Sequence, residues 1–272
     1  MIGCAFRRAV QLDRTAQTAS DPPRHENARF VVMSALADSI LEYLRRVDTA
    51  RSQRDADPTL AKGVEAIKAW QHDRLRRTYA DLLDSQRYAA AARFFLNELY
   101  GTADFARRDA QFARVVPALV RMFPTHIVDT VRSLAELHAL SEDLDNAMAQ
   151  ALVMPVTREA YVRAWQTTGR AAERETQIAL VQRIGRDLEH YTRKPLLRHA
   201  LKMMRGPARA TGLDELQHFL EAGFDTFAAM RGAQEFLGIV GQRERLLAAA
   251  LFEADPAQVS SLRPDDPLGQ LP

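Results

Sequence analysis

The chain has 272 residues, 47% of them apolar and 26% charged. That is enough to bury a sizeable core and too apolar for wholesale disorder. Thirty-seven Lys and Arg against thirty-five Asp and Glu leave a net charge of +2, so no global field draws the chain to nucleic acid or membrane, and any such attraction must be local. Cys4 is the single cysteine, which excludes a disulfide framework and a Cys-rich zinc site and fits a reducing, cytoplasmic setting.

The first residues, MIGCAFRRAVQLDRTAQTAS, lack the apolar stretch of a secretory signal. Residues 1–24 read as a disordered leader. From there apolar side chains recur at three- and four-residue intervals, the signature of amphipathic helices, and two-residue alternation is almost absent. A first helix is expected from near Glu26 to near Arg54, with Phe30, Met33, Leu36, Ile40 and Leu44 on one side. Asp57 followed by Pro58 opens the next, a capping carboxylate and then proline in the first turn. A break at Asp84-Ser85 precedes a helix through YAAAARFFLNELY, stopped by Gly101. Thr102 or Asp104 can cap a helix from Phe105 to Phe123, with Pro117 inside it as a bend. Further helices run from Ile127 to Leu152, from Pro155-Thr157 to Tyr191 with an interruption at Thr168-Gly169, and from Pro195 until Gly206-Pro207 breaks it. Leu213–Met230 and Ala233–Phe252 complete the set. The tail, ADPAQVSSLRPDDPLGQLP, is Pro-rich and polar and reads as disordered. The expected fold is therefore all-α: one domain at 25–252, a bundle of about eight to ten helices between flexible ends 1–24 and 253–272. No run of about 18 apolar residues is present, so no membrane span is expected.

No glycine-rich phosphate loop, GxSxG, HExxH or Cys–His pairing is present, so the familiar enzyme classes find no support and no cofactor is expected. A carboxylate three residues before a histidine occurs twice, as Asp187–His190 and Glu215–His218, a spacing used by helical di-iron sites. Both pairs fall off the apolar faces of their helices, so they read as surface residues and no metal site is assigned.

A polar cluster is more informative. On the helix from Ile127 the apolar stripe runs through Val131, Leu134, Leu137, Leu144 and Met148, and His138, Ser141 and Asp145 fall on or beside it at spacings of three and four. Arg108 and Asp109 flank the apolar face of the Phe105 helix, and Glu98 borders that of the helix before. Buried charges persist only when paired or hydrogen-bonded, so Arg108 and Asp109 should find partners among Glu98, His138 and Asp145. Such a cluster is either a satisfied network that fixes helix docking or the polar lining of a small-ligand pocket. In the second case His138 is the group of the right type to titrate near neutrality.

Positive charge gathers between Arg193 and Arg209, a stretch with no acidic residue. Arg198, Lys202, Arg205 and Arg209 are spaced four, three and four apart and share one face while the helix continues. That face is either simply the solvated side or a contact for an acidic protein or other anionic partner. No aromatic residues interleave for base stacking, so nucleic acid is not expected. The aromatic run FFLNELY, the Phe219–Phe236 series, Trp70 and Trp165 read as core.

The segments FFLNELYGTADFARRDAQFARVVPALVRMFP, LAELHALSEDLD and LKMMRGPARATGLDELQHFLEAGFDTFAAMRGAQEFL together resemble an uncharacterised family of bacterial all-helical proteins, a domain of unknown function with an FFLxxLYGxxDFxxRD signature, over roughly residues 85–250. The resemblance implies no activity, substrate or cofactor. It directs attention to Leu99-Tyr100-Gly101 and Arg107-Arg108-Asp109. The expectation is a non-enzymatic scaffold or binding protein that presents the basic face to an acidic partner, with a ligand-binding or weakly catalytic pocket around Arg108, Asp109, His138 and Asp145 as the alternative.

Overall fold

The computed structural model describes residues 24–99, 106–261, 263 and 266–272, and among them every regular element is a helix. α1 (Arg24–Ala56) ends at Asp57, whose extended backbone and Oδ1 cap α2 (Pro58–Thr78) by accepting from the N–H groups of Thr59 at 2.9 Å and Leu60 at 3.2 Å. α3 (Ala80–Asp84) and α4 (Ala89–Phe94) are short, and α4 runs into a π turn at Phe95–Leu99. α5 (Ala106–Met122) accommodates Pro117, and α6 (Thr125–Ala151) follows it directly. Thr157 caps α7 (Arg158–Thr168), its hydroxyl accepting from Ala160 N–H at 3.1 Å. Gly169, at φ 64°, then makes the left-handed turn into α8 (Ala171–Thr192). α9 (Pro195–Met203), α10 (Arg205–Ala210), α11 (Asp214–Ala229) and α12 (Gln234–Glu253) complete one all-α domain.

α6 is the hub, touching α1, α2, α5, α7 and α8. Gly63 lets α2 approach closely, since a Cβ there would stand 3.0 Å from the Ala149 Cβ. α2 crosses α6 there, and the long side chains beyond the crossing reach across, Lys68 to Glu142 and Gln71 to Asp145. α8 is antiparallel to α6, with Gln177 level with Ser141 and Asp187 level with Thr130. α1 runs parallel to α6: Met33 and Ile40 cluster with Val128 and Ala135, and Ala50 and Gln53 meet Asn146. A helix covered on this many sides has no wet face along much of its length, so its polar residues must be satisfied by neighbours.

Two expectations need correction. Residues 253–272 read as a disordered tail, yet short 3₁₀ turns at Pro256–Ser261 and Pro267–Gln270 lay it across the domain. Val259, Leu268 and Leu271 are buried with Ile67, Met148, Trp165 and Leu251. Arg77 and Arg158 donate to the Leu271 carbonyl at 3.1 Å and 2.9 Å, and Arg158 to that of Pro272 at 3.2 Å. The tail docks through three separated apolar plugs and its own backbone carbonyls, with no helical stripe that periodicity could reveal. The basic segment, in turn, is not one helix. It breaks at Met204, two residues before the expected Gly206-Pro207, so Arg198 and Lys202 lie on α9 while Arg205 and Arg209 lie on α10. The expected leader, residues 1–23, lies outside the described residues.

Because Leu271 is fully buried, Leu271→Ala is expected to lower the unfolding free energy by about 2 kcal/mol or more, the usual range for a large-to-small core change. Urea denaturation checks this, and an unchanged midpoint would mean that the tail is not docked.

Candidate functional site

The second half of α6 carries His138, Ser141, Glu142 and Asp145, at i, i+3, i+4 and i+7, so all four share one side of the helix. α1, α2, α5 and α8 close over that side. Asp109, from the first turn of α5, is buried. It faces His138, whose Nε2 is 2.8 Å from its Oδ2, and Arg51 of α1, whose Nη2 donates to the same oxygen at 2.6 Å. Burial pushes the Asp109 carboxyl up, but His138 and Arg51 outweigh it and hold the group below its ordinary value.

Glu142 is the second closed pair. Lys68 Nζ donates to its Oε1 at 2.9 Å, and Arg54 Nη1 lies 2.5 Å from Oε2 in a charge contact too oblique to count as a hydrogen bond. Desolvation raises this carboxyl too. The charges of Lys68, Arg54 and His138 reverse the effect and bring it down to about 2.

Asp145 differs. It is buried and its recorded polar contact is Gln71 Nε2, at a long 3.4 Å. Burial, with Glu142 one turn away, raises its carboxyl above the ordinary value, against the pull of Lys68 and Arg174. Ser141 donates to the Leu137 carbonyl at 2.9 Å and accepts from Gln177 Nε2 at 2.8 Å. Arg108 lies half-buried with its guanidinium 4.4 Å from the centre of the Phe219 ring. The Glu98 side chain, which the spacing placed beside this cluster, lies outside the described ones.

These side chains border a pocket of about 180 Å³. Its polar end is the 138–145 stripe with Lys68, Gln71, Asp109 and Gln177. Its apolar end is the preceding part of α6, Val131 to Leu137, faced by Phe112 and Leu119 of α5, Val181 of α8 and Leu220 of α11. One helix thus presents an apolar wall that becomes polar along its axis. For comparison, an apolar void of about 150 Å³ holds one benzene ring.

Arg51, Arg54, Lys68, Gln71, Glu142 and Gln177 were missed in the sequence reading. Glu142 had a signal: it completes the heptad set begun by His138, Ser141 and Asp145. The rest lie on the polar flanks of helices that would ordinarily face water, and only the crowding around α6 turns them inward.

The basic face is partly occupied. Arg198 pairs with Asp225 at 2.7 Å, and Arg205 takes both oxygens of Glu221 at 2.5–2.8 Å, all from α11. Lys202 and Arg209 are exposed. His190 and His218 are exposed as well, while Asp187 is half-buried and accepts from Thr130 Oγ1 at 2.8 Å. Among the described residues, no three His, Cys, Asp or Glu side chains gather in a way that could hold a metal ion, and no helix is long and apolar enough to cross a membrane.

Residues 50–258 match the family model described as Domain of unknown function (DUF8198). The chain belongs to the DUF8198 family. The match spans the polar end of the pocket from Arg51 to Gln177. No curated protein and no solved structure matches the chain, so what a DUF8198 protein does here must be argued from the site itself.

The pH dependence of stability follows from the two signs of shift. Glu142, held at about 2 against an ordinary 4.5, stabilises the native state fully above pH 4.5 and loses that contribution as pH falls through about 2. At 1.36 kcal/mol per unit this is roughly 3 kcal/mol. Asp145, raised above its ordinary 3.8, has the opposite sign: its contribution is present at low pH and lost as pH rises through the folded value. In urea melts at pH 7, Glu142→Gln is expected to lower the midpoint and Asp145→Asn to raise it, and the Glu142→Gln deficit should shrink as pH falls toward 2. Equal effects from the two substitutions would contradict the assignment.

Proposed function

We propose that this chain binds a small, mainly apolar molecule with a hydrogen-bonding end, held in the pocket beside α6, and that binding is its role in a cytosolic setting. The single observation that carries the reading is the pocket itself, apolar along Val131–Leu137 and polar along His138–Asp145 of the same helix. A network whose only task was to dock helices would close on itself and let side chains fill the space, as interiors ordinarily do. Two of the polar groups are already committed, since Asp109 and Glu142 have cationic partners. Asp145, Gln71 and Ser141 are the ones placed to meet a ligand. His138 is engaged with Asp109, and the Ser141 hydroxyl one turn away is held by the Leu137 carbonyl and Gln177, so recognition fits better than catalysis.

The sequence expectation of an acidic partner at the basic face comes second. Arg198 and Arg205 are paired with α11 carboxylates, which leaves Lys202 and Arg209 to carry any such contact.

The test uses 4-phenylbutan-1-ol and methyl NMR. Shifts are expected to concentrate on Leu119, Val131, Leu134 and Val181, and Val131→Phe, which fills the apolar end, should weaken binding about tenfold or more. Shifts scattered over the surface, or a Val131→Phe variant that binds as well as the parent, would overturn the reading.

A further inference from the structure

Behind the polar end of the pocket, outside its lining, lies a buried cation that has no counter-ion among the described residues. Arg174 is one turn before Gln177 on α8, and the register that sets Gln177 on Ser141 brings it level with Asp145. Its side chain is 5% exposed. The guanidinium stacks 4.1 Å from the centre of the Trp165 ring. Its Nη1 reaches the Gln177 amide oxygen only at 3.5 Å, and its Nε and Nη2 are buried with no hydrogen-bond partner among the described residues. Among the described residues, no carboxylate forms an ion pair with it.

The surroundings are rich in donors and poor in acceptors. Trp165 packs on Tyr161, and Tyr161 stacks on Trp70. Trp70 Nε1, Trp165 Nε1 and Thr168 Oγ1, one turn beyond Trp165, are also buried without a partner. An arginine cannot escape burial by losing its proton, and a buried charge with no partner costs several kcal/mol. Orphaned donors around a permanent cation are the mirror image of an anion.

We propose that Arg174 is an anion subsite at the polar end of the pocket, and that the ligand is a small hydrophobic acid whose carboxylate meets Nε and Nη2 while its apolar part lies along Val131–Leu137. This rests on the pocket reading above and names the ligand's class. The carboxylate replaces the Gln177 amide oxygen at Arg174, a substitution made easy by the length of the existing contact. A guanidinium presents two parallel N–H groups to a carboxylate, the geometry in which such pairs are strongest. Asp145 would repel an anion if ionised. Burial and the nearby Glu142 raise its carboxyl above the ordinary value, against the pull of Lys68 and Arg174, and that rise works against the repulsion.

Three probes with the same apolar part separate the outcomes: 4-phenylbutyrate, 4-phenylbutan-1-ol and 4-phenylbutylamine. Trp70 and Trp165 are the only two tryptophans, and Trp165 touches Arg174, so emission reports on binding there. The acid is expected to bind about tenfold or more tightly than the alcohol and to shift tryptophan emission. Arg174→Gln is expected to bring the acid-to-alcohol preference close to one, with the fold checked by circular dichroism. Should that variant fail to fold, Arg174→Lys keeps the charge but loses the two-pronged geometry, and the preference should drop several-fold.

If the alcohol or the amine binds as well as or better than the acid, the anion subsite is wrong while the pocket reading stands. If no probe binds, both fall. An acid preference that survives intact in Arg174→Gln and Arg174→Lys places the anion elsewhere and overturns the proposal.

Discussion

Crowding around α6 governs the rest of this structure. Five helices touch it, and its buried residues include Ser133, Glu142, Asp145 and Asn146 alongside Val128, Leu144 and Met148. A polar group taken out of water must recover its hydrogen bonds from protein or lose free energy on the order of 1–3 kcal/mol. The arrangement of Arg51, Arg54, Lys68, Gln71 and Gln177 follows from that demand. Arg54, Lys68, Gln71 and Gln177 reach residues of α6 itself, and Arg51 reaches Asp109, the partner of His138. Gly63 matters for the same reason, because the approach of α2 to Ala149 fixes the height at which Lys68 and Gln71 arrive.

The polar groups on and around the stripe are satisfied unevenly. Asp109 and Glu142 are held by cations, so their task is structural. Asp145 has a long contact to Gln71, and Arg174 makes no ion pair among the described residues. The two stand on facing helices, Asp145 lining the pocket and Arg174 behind it. Direct pairing would have been the simpler arrangement for a protein that needed only to fold. Natural proteins keep such unresolved polar groups where a ligand completes them, because a site that matches its ligand is mismatched without it.

Much of the fold was legible in the chain, and the reasons are local. Asp57-Pro58, Thr157 and Gly169 act within one turn of themselves, so their effect on helix starts and stops survives any tertiary context. The stripe of His138, Ser141 and Asp145 was also visible, since residues three and four apart must share a helix side. Hidden were the features that depend on distant chain: Arg51 and Arg54 on α1, Lys68 and Gln71 on α2, and Arg174 on α8 look like solvated charges until α6 is surrounded. The tail deceived for a different reason. Val259, Leu268 and Leu271 are plugs separated by Pro and Asp, and their burial comes from a groove formed by α2, α7 and α12. The basic run likewise read as free charge, because Asp225 and Glu221 approach it from a later helix.

The α6 stripe faces inward, with Glu142 and the neighbouring Asp109 held by cations and Asp145 in polar contact only with Gln71 among the described residues. The most direct measurement is a carbon-detected NMR titration of the side-chain carboxyls of Asp109, Glu142 and Asp145 in the intact protein. Asp109 and Glu142 are expected to titrate below their ordinary values and Asp145 above its own. Three ordinary titrations, as from side chains in bulk water, would contradict it.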